Sequence, residues 1–155
     1  MKTPNTSSPS RDLAALVLRI SLSVVLFAHG AQKLLGWFGG YGFHGTMQFF
    51  EGMHIPAFLG LIAILVEFFA PLFLFVGLFT RLAAFVMGVD MLVALLTVHI
   101  HNGFYMNWGS VPHQGEGYEF HLLFIGIAVA LILLGGGRFA IDRALCKGKA
   151  ETEPA

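Results

Sequence analysis

Charge is scarce in this sequence. Asp, Glu, Lys and Arg make up 12% of its 155 residues, about half the ~25% of an ordinary soluble domain. That leaves too little polar surface to coat a water-soluble globule in which 56% of residues are hydrophobic and 16 are Phe. The formal net charge is zero with neutral histidines, so the basic face that nucleic-acid binding needs is absent. The single cysteine, Cys146, excludes an internal disulfide and lacks the partners of a thiolate zinc site; it reads as an ordinary cytoplasmic thiol. No phosphate loop or hydrolase elbow occurs. Gly39-Gly40-Tyr41-Gly42 lacks the strand-and-helix setting of a dinucleotide-binding turn.

What the sequence does have is long apolar runs. Four of them, at about 13–35, 57–79, 82–100 and 118–135, approach or exceed the roughly 20 helical residues that cross a hydrocarbon core. The fourth is apolar only over 120–134, so Tyr118 and Glu119 must enter its helix for it to span. The predicted fold is all-α, an integral membrane four-helix bundle. A polar tail (1–12) precedes a single transmembrane domain (13–145), and a second polar tail (146–155) follows it. Pro56 sits where a helix start tolerates it, Thr80-Arg81 reads as a tight turn, and Gly135-Gly136-Gly137 ends the last helix. The three- and four-residue spacing of Phe43, Met47, Phe50 and Met53 predicts a short helix over His44–Met53, lying on the membrane surface.

Lysine and arginine set the orientation. Lys2, Arg11, Arg81, Arg138, Arg143, Lys147 and Lys149 fall on one side of a four-span arrangement, and the 36–56 and 102–117 loops contain none. Both termini are therefore expected in the cytoplasm, with the protein in a bacterial-type inner membrane. The first run is longer than the ~7–15 residues of a signal-peptide core. It also carries Arg19 inside it and no clear cleavage site before Lys33, so it reads as a retained span.

The informative residues are the ionisable ones inside these runs, since a charge at mid-bilayer costs about 2.5–3.5 kcal/mol even on the gentlest insertion scale. At ~1.5 Å rise per residue, Arg19 lies roughly 9 Å and Asp90 roughly 12 Å from the cytoplasmic ends of their runs. Depth therefore suggests a structural Arg19–Asp90 ion pair. His29 and Lys33 are one helical turn apart on one face. With Glu67, His99, Glu119 and His121 they map towards the outer half and make candidates for an outward-facing polar pocket. Two readings stay open: hydrogen-bonded glue between helices, or a site for a polar ligand. His99 and His101 project about 200° apart on a helix, and no Glu-x-x-His spacing occurs, so no metal ligands are assigned. Haem or a metal ranks behind a quinone as a cofactor.

Seven stretches in order resemble a known family. They are Leu18-Arg19; His29-Gly30-Ala31-Gln32-Lys33-Leu34; Phe38-Gly39-Gly40 with Gly42; Glu67; Gly77-Leu78-Phe79-Thr80-Arg81; His99 with Asn102-Gly103-Phe104; and Gly117-Tyr118-Glu119 leading to Gly135–Arg138 with Asp142. The chain resembles the DoxX family of four-helix membrane proteins from about Arg19 to Asp142. The family is similar to a subunit of a thiosulfate:quinone oxidoreductase, and other members are linked to thiol and quinone stress. The resemblance implies a membrane component of a redox system. No redox-cofactor motif is visible, so electron transfer needs a soluble or membrane redox partner, and a homo-oligomer is compatible with a chain of this size. It supplies no catalytic residues. The absence of a cysteine pair argues against direct dithiol chemistry. A non-catalytic scaffold, assembly factor or small-solute transporter is the competing expectation.

Overall fold

A computed structural model describes residues 8–145. The outermost tails, with Lys2, Cys146, Lys147 and Lys149, lie outside the described residues. Among those described there is no strand. Helix α1 runs Pro9–Leu35, α2 Gly42–Gly52, α3 Ala57–Val76, α4 Thr80–Ala94 and α5 Glu119–Leu134. Helix α4 does not stop at Ala94. It widens into a π turn over Leu95–His99 and tightens into a 3-10 turn over Ile100–Asn102. Three helices are long and apolar enough to cross a membrane: Pro9–Leu35, Ala57–Val76 and Thr80–Asn102. Glu119–Leu134 is a shorter apolar helix.

Helix α1 packs on α3 and α5, α3 on α4, and α4 on α5, closing a ring around a core of Leu22, Leu26, Leu74, Met87, Phe124 and Leu131. The outer faces are as apolar as the core: Phe58 is 63% exposed, Leu123 69% and Leu133 71%. Such a continuous apolar exterior suits hydrocarbon and not water. The ring has a tail end, where α1 begins and α3 meets α4, and a loop end, where α2 and residues 103–118 gather.

The turn between α3 and α4 falls at Gly77–Phe79, with Thr80 and Arg81 already inside α4, and not at Thr80-Arg81 as the sequence suggested. Gly77 is the reason. At φ +75 it donates its N–H to the Leu74 carbonyl while Leu78 N–H reaches Phe73. These are the paired bonds of a glycine-capped helix end, a conformation that side-chain-bearing residues adopt at a cost.

The short helix expected over His44–Met53 is present as α2, packed on α1 and α3. Thr46 Oγ1 donates to the Lys33 carbonyl at 3.1 Å. The Phe50 ring is buried against Gly60, leaving no room there for a Cβ.

Candidate functional site

The ion pair expected between Arg19 and Asp90 is not formed. Arg19, 1% exposed, donates Nε to the Leu74 carbonyl (3.0 Å), Nη2 to Phe75 (2.7 Å) and Nη1 to Gly136 (2.9 Å). It completes the carbonyl-bearing end of α3, where a cation also complements the helix dipole, and ties that end to the segment after α5. Its electrostatic partner is Asp142, which itself accepts from Phe79 N–H (2.7 Å) and Thr80 N–H (2.8 Å) at the start of α4. Depth arithmetic weighed only ionisable partners for Arg19. Free carbonyls at a helix end are equally good acceptors for a guanidinium.

At the loop end, α1 and α3 approach closely at Gly30. A Cβ on Gly30 would run into the backbone of Glu67 and Phe68. Close approach at small residues is a common device for packing helices in membranes. Side chains on a helix lean towards its N-terminus, so Lys33, one turn beyond Gly30, reaches back to this contact and pairs with Glu67. The Glu67 side chain is 3% exposed and that of Lys33 32%. Asp90, released from Arg19, lies within electrostatic range of Glu67 and Lys33. Counted at ~1.5 Å per residue, Glu67 and Asp90 stand at nearly equal heights above the α3–α4 turn.

The histidines extend this cluster. His29, on α1, is exposed and within electrostatic range of Glu67 and Lys33. His121, buried on α5, lies with its ring centroid 4.1 Å from that of His99, the planes tilted by 41°. His121 also feels His29 and Lys33. The π turn that ends at His99 alters the facing of the residues after Ala94 relative to an unbroken α-helix, and such turns often accompany functional sites. Thr97 Oγ1, bonding back to the Val93 carbonyl at 2.7 Å, supports the distortion. His99 Nδ1 bonds the Glu116 carbonyl at 2.8 Å, and Asn102 Nδ2 bonds the same oxygen at 3.0 Å.

Of the predicted pocket residues, the structure brings together His29, Lys33, Glu67, His99 and His121. Glu119 is engaged with the loop: its carboxylate accepts from Trp108 Nε1 at 2.8 Å, binding the 103–118 loop to the start of α5. Sequence reasoning missed Asp90 as a member, although its depth equals that of Glu67. It also missed Gly30, which carries no chemistry but sets the α1–α3 distance. Glu116 was missed too, because it acts through its backbone oxygen. No group of three or more His, Cys, Asp or Glu side chains among the described residues is arranged to hold a metal ion.

Three atoms of this cluster, Glu67 Oε2, Asp90 Oδ2 and His121 Nδ1, are buried without a hydrogen-bond partner. Buried polar atoms are nearly always satisfied, and each orphan costs about 1–3 kcal/mol. Three orphans in one connected cluster mark a place where the protein gives up stability.

The fold and this site define an all-helical membrane protein with an ionisable cluster buried among its helices. The DoxX family model matches residues 14–100, a stretch that holds His29, Lys33, Glu67, Asp90 and His99. The chain is 27% identical over 140 residues to the Bacillus subtilis (strain 168) protein named Putative oxidoreductase CatD, covering 90% of this chain and 92% of that one. It is 31% identical over 137 residues to Inner membrane protein YqjF of Escherichia coli (strain K12), covering 88% and 95%. No solved structure matches it. The chain belongs to the DoxX family.

Proposed function

We propose that the protein crosses the membrane four times with both termini cytoplasmic, as the membrane component of a redox system that binds a quinone or similar small redox molecule at the loop end. The one-sided distribution of lysine and arginine supports the orientation. Helix α5, with 16 residues, is about 24 Å long. It spans by local thinning of the bilayer and by drawing on Tyr118 and the residues after Leu134.

The observation that carries the redox reading is the Lys33–Glu67 pair set among Asp90, His29, His99 and His121 with three orphaned polar atoms. A quinone presents two carbonyl oxygens. The part-exposed Lys33 ammonium and the exposed His29 ring are donors for one of them, and Glu67 accepts or delivers the accompanying proton. Electrons come from a soluble or membrane redox partner. That a relative carries an oxidoreductase name is consistent with this reading.

Mass spectrometry and absorbance of the natively purified protein test it, together with quinol binding by Lys33→Met and Glu67→Gln. Each variant is expected to lose at least about tenfold in affinity, ~1.4 kcal/mol. A preparation that carries no quinone, haem or metal and does not bind added quinol would remove the proposal. The pairing of Lys33 with Glu67 itself favours a second reading, polar glue in a scaffold, assembly factor or small-solute transporter. That reading expects the same variants to change complex assembly or pH-dependent uptake into proteoliposomes and to leave quinol binding untouched.

A further inference from the structure

The Lys33–Glu67–Asp90 group has an uneven charge count. One ammonium, paired with Glu67, has a second carboxylate, Asp90, within electrostatic range. Lys33 pairs with Glu67 Oε1, while Glu67 Oε2 and Asp90 Oδ2 are buried and have no partner. Two ionised carboxylates next to one cation leave an uncompensated buried negative charge, which a low-dielectric interior penalises heavily. Nearby carboxylates resolve that conflict by keeping a proton between them.

Among the described residues no other lysine or arginine lies at the loop end. Lys33 on α1 is paired with Glu67. Helix α1 also brings His29, α5 brings His121 and the end of α4 brings His99. The two buried or half-buried rings, His121 and His99, lie against each other at a tilt of 41°. Arg19, the one buried arginine among the described residues, is held by three carbonyls at the tail end.

We propose that Glu67 and Asp90 form a proton-binding site that holds one proton between two carboxylates against the Lys33 ammonium. The site exchanges that proton with the loop end along the polar line of His29, His121 and His99. It goes beyond the quinone reading and does not depend on it.

Infrared spectroscopy of the purified, quinone-free protein in lipid vesicles at neutral pH tests the site through the carbonyl stretch of a protonated carboxyl group. The wild-type protein is expected to show this band and to shift it in heavy water. Asp90→Asn removes the band. Glu67→Gln also removes it, because Asp90 then faces Lys33 alone and ionises. Lys33→Met raises it to about twice the wild-type intensity, since neither carboxylate keeps a cation. A wild-type protein without the band, or a band that survives in both Asp90→Asn and Glu67→Gln, overturns the proposal. The wild-type measurement decides even where a variant fails to fold. The band in a protein that binds no quinol retires the quinone reading alone. A quinol-binding protein without the band retires the proton site alone.

Discussion

The two ends of this helix ring treat buried polar groups in opposite ways. At the tail end Arg19 spends its donors on three backbone carbonyls, Asp142 accepts two N–H groups at the start of α4, and Asp12 accepts Arg138 N–H at 3.0 Å. Thr80 Oγ1 is an orphan there, and Ser23 Oγ, one turn along α1 from Arg19, is another; both are neutral hydroxyls. At the loop end, side chains face side chains, and two carboxylate oxygens and an imidazole nitrogen go unpaired. Backbone-satisfied ions act as staples between helices. Side-chain clusters with spare capacity are where a protein keeps chemistry, because their partners are free to change.

Substitutions sharpen this contrast. Arg19→Ala is expected to have the largest effect on stability. It strips the Phe75 and Gly136 carbonyls of their partners and leaves a hole, at a cost of about 3–5 kcal/mol. Thermal unfolding in detergent should show a large drop in melting temperature, and an unchanged melt would dissolve the distinction between the ends. Gly30→Val comes next, at about 1–3 kcal/mol for overpacking. It should also move α1 off α3 and separate Lys33 from Glu67, which a cysteine cross-linking series across the two helices can follow.

Asp142→Ala removes acceptors and a favourable charge from the start of α4 and should cost about 1 kcal/mol, read from the denaturant midpoint. Glu119→Gln should be smallest, within about 0.5 kcal/mol for a substitution away from the core, with quinol binding unaffected. A loss of binding in that variant would place Glu119 in the ligand-binding cluster in addition to its bond with Trp108.

Much of the scaffold was legible, because a membrane span is announced by a local property, a run of apolar residues about one bilayer long. The short α2 was legible from the spacing of Phe43, Met47 and Phe50. The turn after Val76 begins three residues before Thr80-Arg81, since Leu78 and Phe79 are as apolar as a helix interior and only Gly77 signals the stop. Depth along the sequence points Arg19 at Asp90 and not at its three carbonyls, because carbonyl acceptors are present at every residue and carry no mark in the sequence. Glu119 was placed in the cluster because its distance along the helix is right, while the fold of residues 103–118, which brings Trp108 over it, follows no periodic pattern.

The sequence by itself determined that this is an all-helical membrane protein, roughly where its long helices lie, and that six or more ionisable groups must find company there. Hydrophobicity adds up locally, so those conclusions need no knowledge of neighbours. Only the tertiary structure decided which groups share a space. That depends on how far each helix is rotated and shifted against the next, and it is decided by contacts such as Gly30 on the Glu67 backbone and the widened turn before His99. Arg19 is thereby taken to the tail end, while Asp90 is left beside Glu67 and Lys33.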